Sequence, residues 1–102
     1  MIDPKDIDIR RLRWDPWNVG HIAREGHEVT PQEVKYAVFS EESIMRYVRG
    51  GRILLLGPTD SQRILAAVLD PEGEGVWYCV SARTASRKER ELYHQERSRR
   101  NS

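Results

Sequence analysis

The sequence contains a single cysteine, Cys79, among its 102 residues. No disulfide can therefore form within the chain, and a metal site built from paired thiolates is excluded. Cys79 lies in the apolar run 76–80, so we expect a core residue rather than a reactive thiol. Long hydrophobic runs are also missing, because no segment approaches the roughly 18 apolar residues of a membrane-spanning helix.

The short motifs that mark common cofactor and catalytic sites are missing as well. There is no glycine-rich phosphate loop, no Gly-x-Gly-x-x-Gly, no His-Glu-x-x-His and no Gly-x-Ser-x-Gly. The three histidines, His21, His27 and His94, do not have the spacing of metal ligands. We therefore expect neither a metal nor a cofactor.

The composition fits one small globular domain with a modest core, since 38% of the residues are hydrophobic and 32% are charged. We place this domain at residues 1–97. Residues 98–102 have no apolar side chain to dock them, so we expect a disordered basic tail. The start of the chain is polar and acidic, unlike a secretory signal, and we expect a cytoplasmic protein.

Charge is unevenly distributed, although the net charge is only +1. Residues 83–102 carry seven Lys/Arg and three Glu, a net of +4, whereas the first 82 residues carry ten Lys/Arg and thirteen Asp/Glu, a net of −3. A basic end suggests either a polyanionic or acidic partner or a solvated helix, and the charge alone does not separate these two readings.

Alternation and capping signals predict the first half of the fold. Residues 7–14 have the apolar spacing of a strand. Asp15 and Pro16 then begin a helix that we expect to run to about Glu25 and to stop at Gly26. A capping box of Thr30 with the glutamate three residues later begins a second helix, ending near residue 40.

The second half has the pattern of four strands and a helix. The strands are 43–49, 52–57, 62–69 and 76–82, with Gly50-Gly51 as a hairpin signal and 70–75 as a loop. Short connections make them an antiparallel meander. A capping box at Ser86 and Glu89 begins a last helix, to about residue 97. The predicted class is α+β, in the order β-α-α-β-β-β-β-α, with the helices expected on one face of the sheet.

Arginines at strand ends are the most suggestive feature for function. Arg63 and Arg83 should meet at one end of the sheet, beside the start of the last helix, and could form a phosphate cradle. Cleavage of RNA by its own 2′-OH needs positive charge on the phosphate and groups that move protons. We consider three side chains for the proton transfers: His21, Glu89 and Tyr93. Each also has a structural interpretation, as a packed histidine, a helix cap and a packing residue, respectively.

Several segments, taken in order, resemble BrnT-type toxins of type II toxin–antitoxin systems. They are Trp14-Asp15-Pro16-Trp17-Asn18, His21-Ile22-Ala23-Arg24, Val29-Thr30-Pro31-Gln32-Glu33-Val34, Arg52 with Leu54-Leu55-Leu56-Gly57-Pro58-Thr59, and Val80-Ser81-Ala82-Arg83 with Glu89-Arg90 and Tyr93. The resemblance implies a RelE-like ribonuclease fold. It also implies a cognate antitoxin of the BrnA type, expected to be a ribbon-helix-helix protein, which neutralises the toxin and represses transcription together with it.

The chain departs from this family at two places. The family usually has Lys where Asn18 stands, and it has a basic residue followed by His-Gly near the first helix end, where this chain has Arg24-Glu25-Gly26-His27. Either Glu25 replaces the family histidine or His27 supplies it from a shifted position. The pattern is that of a divergent branch. The basic residues of this pattern and of the last helix are the predicted RNA contacts: Arg24, Arg52, Arg87, Lys88 and Arg90.

Two functional hypotheses follow. The first is a toxin that cleaves RNA without a metal, with Arg63 and Arg83 on the phosphate, and that is neutralised by its antitoxin. The second is a non-catalytic toxin-like module that only binds a protein partner or RNA. Both hypotheses predict an antitoxin as partner, contact with DNA only through the antitoxin complex, and no contact with a membrane. Both also allow a homodimer within the complex.

Overall fold

The structure is a computed structural model that describes residues 7–24 and 27–100. The strands are β1 (Arg11–Arg13), β2 (Ile44–Tyr47), β3 (Ile53–Pro58), β4 (Ile64–Gly73) and β5 (Val76–Thr84). The helices are α1 (Pro16–Ile22), α2 (Pro31–Phe39) and α3 (Arg87–Arg100), and a 3-10 turn at Arg49–Gly51 joins β2 to β3. The predicted α+β class and element order are confirmed.

All five strands form one mixed sheet in the order β1-β5-β4-β3-β2. Strands β2 to β5 are the predicted antiparallel meander. The first strand lies parallel to the last, with Arg11 opposite Val76 and Arg13 opposite Tyr78. The chain therefore crosses the sheet once, through α1 and α2, before the meander begins.

Helices cover both faces of this sheet, so the predicted packing on one face is wrong. Helices α1 and α2 lie on the face that presents Leu55, Leu65 and Leu69, whereas α3 packs through Tyr93 on the face that presents Leu56. The reason lies in β3 and β4, where successive residues are apolar and so point hydrophobic side chains to both sides. A sheet with two apolar faces needs a cover on each.

Capping boxes fix the helix starts as predicted. The Asp15 carboxylate accepts from the Asn18 amide at 3.0 Å, and Asn18 Oδ1 accepts from the Asp15 amide at 2.8 Å. Thr30 and Glu33 make the corresponding pair at the start of α2. Helix α1 ends at Ile22, earlier than predicted, and the predicted end at residues 25 and 26 lies outside the described residues.

Other boundaries shift for local reasons. Strand β1 is shorter than the predicted 7–14, because its ladder with β5 spans only three residue pairs and Asp15 already caps α1. Strand β4 continues through most of the predicted loop 70–75, leaving a tight turn at Glu74 and Gly75. Helix α3 continues through residues 98–100, so the prediction of disorder there is wrong, and 101–102 lie outside the described residues.

The core prediction for Cys79 is confirmed, since its side chain is fully buried in the cluster beneath α1 and α2. Burial raises the pKa of this thiol to about 12, which keeps it protonated at neutral pH. Within the described part of the chain, no helix is long and apolar enough to cross a bilayer.

Candidate functional site

The predicted phosphate cradle of Arg63 and Arg83 does not form. Arg63 points to the α2 side of the sheet, where Nη2 donates to Glu33 Oε2 at 2.6 Å and Nη1 donates to Thr84 Oγ1 at 3.2 Å. Arg83 points to the α3 side, where its two terminal nitrogens lie 2.6 and 3.0 Å from the carboxylate of Glu89. The two arginines share one end of the sheet, as predicted, but lie on opposite faces, and a carboxylate balances each charge.

Glu89 has the structural role of a helix cap and ion-pair partner. Its carboxylate accepts from the Ser86 amide at 2.8 Å and from both nitrogens of Arg83. The hydrogen bond from Arg83, supported by the one from Ser86, lowers the pKa of Glu89 to about 2. A carboxylate this acidic stays ionised at neutral pH and is a weak proton acceptor, so the predicted catalytic role for Glu89 has no support in this geometry.

His21 lies far along the chain from Glu89 and on the other side of the sheet, in α1. Its ring stacks on Trp17 at a centroid distance of 5.0 Å and meets the His27 ring edge-on at 5.3 Å. Its Nδ1 is buried and has no hydrogen-bond partner within residues 7–24 and 27–100. The structure thus separates His21 from Glu89 and Tyr93, and the three do not form one proton-transfer site.

A basic groove of about 550 Å³ lies between α3 and the turn that precedes β4. We call it the α3 groove. Its lining is Glu42, Pro58, Gln62, Arg63, Ile64, Thr84, Arg90, Tyr93, His94 and Arg97. Three arginines and one glutamate are among these lining residues, which makes the groove a suitable site for a polyanion.

Helical spacing places the groove residues of α3 on one side. Counted from Arg90, Tyr93 lies three residues further along the helix, His94 four and Arg97 seven, which is the spacing of one helical face. Tyr93 is almost fully buried and meets the His94 ring edge-on at 5.4 Å, so the packed tyrosine supports the more exposed histidine. The structural interpretation of Tyr93 as a packing residue is therefore confirmed, and its ring also forms part of the groove wall.

The two arginines of α3 differ in how they are held. Arg90 Nη1 donates to the carbonyl of Ala85 at 2.7 Å, which fixes its guanidinium beside the helix start. Arg97, two helical turns further on, has no ion pair among the described residues. An arginine without a carboxylate partner keeps its full charge for a ligand.

Most of the other predicted RNA contacts lie outside the groove. Arg52 pairs with Asp70 at 3.4 Å, and Arg87 pairs with Glu91 on the exposed side of α3. Lys88 is exposed at the start of α3, and Arg24 is exposed just after α1. Three of the predicted site residues do line the groove: Arg63, Tyr93 and Arg90.

His94 and Arg97 line the groove but were not predicted as site residues. Their signal is present in the sequence, because Arg90, His94 and Arg97 have the spacing of one helical face. The spacing of Glu89 and Tyr93 indicated a different face of α3 as the functional one. The sequence does not show which side of α3 the sheet covers. Gln62 was also missed, since only the fold brings its turn beside the helix.

Backbone strain occurs close to the groove. Gln62, in its lining, has a φ of 69°, and Glu28, whose carbonyl accepts from Arg63 Nη2 at 3.3 Å, has a φ of 50°. Residues other than glycine rarely adopt this left-handed backbone conformation. Where they do, the strained residue often lies at a functional site. The turn before β4 and the segment before α2 are thus held in unusual conformations on either side of Arg63.

A larger cavity of about 640 Å³ lies along the outer side of α2, beside Tyr36 and Phe39. Its charged lining is one lysine, Lys35, with two carboxylates, Glu41 and Glu42. This balance is unfavourable for a polyanion, so the smaller α3 groove is the better candidate for RNA. Among the described residues no group of three or more His, Cys, Asp or Glu could hold a metal ion.

No family model matches the sequence, and no curated protein matches it. The resemblance to BrnT-type toxins therefore stays a prediction. Support for a function comes from the α3 groove itself.

Proposed function

We propose that the protein is the RNA-binding, toxin-like component of a type II toxin–antitoxin pair in a bacterial cytoplasm, and that RNA lies in the α3 groove. The observation that carries this proposal is the convergence of Arg63, Arg90 and Arg97 on a groove with a single carboxylate, Glu42. Guanidinium groups match the phosphate oxygens of a nucleic acid backbone in both geometry and charge.

The electrostatics of α3 favour the same assignment. Its arginines differ in pairing: Arg87 pairs with Glu91 and Arg99 with Glu96, whereas Arg97 has no ion pair among the described residues. The charges of Arg87 and Arg99 are thus balanced within the helix. Arg90 and Arg97, for which no ion pair is found among the described residues, both line the groove that provides room for a ligand.

A second candidate function, RNA cleavage, is favoured by the position of His94 between Arg90 and Arg97. Imidazole is the side chain most often used for proton transfer near neutral pH. In this reaction His94 takes the proton of a ribose 2′-OH, the 2′-oxygen attacks the adjacent phosphorus, and the bond to the 5′-oxygen breaks. The leaving oxygen takes a proton from water, and the product is a 2′,3′-cyclic phosphate. Arg90 and Arg97 stabilise the added negative charge on the phosphorus.

One assay separates these two functions. Purified protein is incubated with a labelled single-stranded RNA in the presence of a chelator, and both bound RNA and cleavage products are measured. Binding with products that end in a cyclic phosphate, abolished in His94→Gln while binding persists, supports the nuclease. Binding without products supports the non-catalytic module. Absence of RNA binding would refute both.

The proposal also expects a protein partner. A ribbon-helix-helix antitoxin encoded beside this chain should co-purify with it and suppress any growth arrest that its expression causes. Expression of the chain alone, and together with its neighbouring open reading frame, tests this. Growth that is unaffected by the chain alone would contradict the toxin assignment while leaving the RNA-binding measurement to stand separately.

A further inference from the structure

Three aromatic rings form a cluster beside α1 that the proposed function does not use. Trp17 stacks on His21 with an angle of 9° between the ring planes, and 56% of the Trp17 surface remains exposed. The His27 ring meets the His21 ring edge-on, and its Nδ1 lies 3.0 Å from the carbonyl oxygen of Ala82 in β5. The indole is therefore supported on one side by a fixed ring, while much of its surface is open to solvent.

Arg63 connects this cluster to the α3 groove. Arg63 is one of the groove's lining residues, and its guanidinium donates to the carbonyl of Glu28, the residue that follows His27. The same guanidinium donates to Thr84, two residues after the carbonyl that His27 approaches. The groove and the aromatic cluster thus lie at the same end of the sheet, with one arginine between them.

An arginine is connected to the cluster as well. The carbonyl of Arg24 accepts from the amides of His27 and Glu28 at 2.8 and 2.9 Å, which brings the Arg24 backbone next to His27, and the Arg24 side chain is exposed. Proteins bind unpaired bases and their phosphates by combining exposed aromatic rings with basic side chains. Duplex RNA offers no such base, because its bases remain stacked on one another.

We infer that Trp17 is a stacking platform for one unpaired base of a single-stranded RNA whose backbone lies in the α3 groove. This inference rests on the proposed function, since it extends the path of the same RNA past Arg63. It identifies the ligand as single-stranded, or as a loop or end with a free base. It also gives His21 a role as the ring that holds Trp17 in place.

Fluorescence anisotropy with a labelled single-stranded RNA and with an RNA duplex tests the inference. The full chain is compared with Trp17→Ala, Trp17→Phe and a matched control, Tyr36→Ala, which removes a similarly exposed aromatic ring from α2. We expect Trp17→Ala to weaken single-strand binding about 5- to 100-fold, the range for removal of one stacked base. Trp17→Phe should have a smaller effect, and Tyr36→Ala should be neutral.

Two further measurements distinguish this inference from the proposed function. Duplex binding and the salt dependence of binding should be unchanged in Trp17→Ala, because stacking neutralises no phosphate. Unchanged single-strand binding in Trp17→Ala, with binding still weakened by substitution of Arg90 and Arg97, would overturn the platform and leave the groove. An equal weakening for single strand and duplex would also overturn it. If the arginine substitutions have no effect either, the proposed function fails. Thermal melting of each variant confirms that it remains folded.

Discussion

Arg63 lines the α3 groove, yet its shortest hydrogen bond, at 2.6 Å, is to the carboxylate of Glu33 on the α2 side of the sheet. Burial alone would raise the pKa of Glu33, but the hydrogen bonds from Arg63 and Thr30 and the Arg63 charge outweigh burial and hold the pKa below its usual value. Glu33 is therefore ionised at neutral pH and neutralises part of the charge that Arg63 brings to the groove.

Replacing Glu33 with Gln should therefore change affinity and stability in opposite directions. We expect RNA binding to tighten about two- to fivefold, because one negative charge leaves the site and Arg63 is released. Stability should fall by about 1 kcal/mol, since the ion pair is removed while Gln still completes the capping box with Thr30. Anisotropy and urea denaturation measure the two effects.

Glu41→Gln is the matched control for this change. Glu41 is exposed on the turn after α2 and lines the other cavity, so its substitution removes the same charge away from Arg63. We expect little change in either measurement. Equal tightening in both variants would mean that only the net charge matters and that Glu33 does not restrain Arg63.

The ion pair of Arg83 and Glu89 should make stability depend on pH in the acid range. The pKa of Glu89 is about 2 in the folded chain and near 4.5 in the unfolded chain, so its contribution is complete above about pH 4.5. The contribution disappears as the pH falls from about 4.5 to about 2. After allowance for solvent screening of the half-exposed Arg83, we expect about 1–2 kcal/mol.

Denaturation of the wild type and of Glu89→Gln between pH 2.5 and 7 measures this contribution. The variant retains the cap on α3 but not the charge, so the difference in unfolding free energy between the two proteins should shrink towards low pH. A difference that stays constant over this range would show that the Arg83 pair contributes no stability.

Asn18 joins three elements and should be essential for the fold. It is fully buried, its Nδ2 donates to the carbonyls of Arg13 and Cys79 at 3.1 and 3.2 Å, and its Oδ1 accepts from Asp15. Asn18→Ala leaves buried polar groups without partners, and we expect a destabilisation of about 2–4 kcal/mol. Thermal melting should show Tm lowered by roughly 10 °C or more. Gln32→Ala, on the exposed side of α2, should stay within about 0.5 kcal/mol of the wild type.

The same residue bears on the predicted resemblance to BrnT-type toxins, which leads to the expectation of a lysine at this position. A lysine in place of Asn18 would put a charge in a fully buried site whose polar neighbours are already hydrogen-bonded. Asn18 fits because its short amide satisfies two carbonyls and caps α1. The asparagine at this position thus has a packing role that links α1 to β5.

Local signals account for the parts of the fold that could be predicted. The capping boxes at Asp15, Thr30 and Ser86 act over three residues, and they determine three helix starts. Gly50 and Gly51 both have φ near 79°, a conformation that favours glycine, and this explains the predicted turn between β2 and β3. Such features depend on neighbours in the chain and can be recognised without tertiary structure.

Features that depend on distant residues could not be predicted in the same way. The apolar residues of β3 and β4 give no indication of which face α3 takes. The register of β4 and β5 pairs Arg83 with Ala66 on the α3 face, whereas Arg63 shares the opposite face with Leu65. The carboxylates that neutralise them, Glu33 and Glu89, have the sequence pattern of helix caps. Both carboxylates serve two purposes, and only the fold reveals the second.

The most direct test of the α3 groove compares two double variants of one helix. Arg90→Gln with Arg97→Gln removes two groove charges, whereas Arg87→Gln with Arg99→Gln removes two ion-paired charges that do not line the groove. Arg97→Gln alone is included because Arg90 also supports the helix start through Ala85. Binding of single-stranded RNA is measured over a range of salt concentrations, with thermal melting of each variant.

We predict that the groove variant binds at least about tenfold more weakly and that its slope of log affinity against log salt decreases by about 0.7 for each phosphate that is no longer neutralised. Arg97→Gln should show part of this effect, and the double variant of the ion-paired arginines should stay close to the wild type. Equal weakening in the two double variants, or none in the groove variant, would contradict the assignment of the α3 groove as the RNA site.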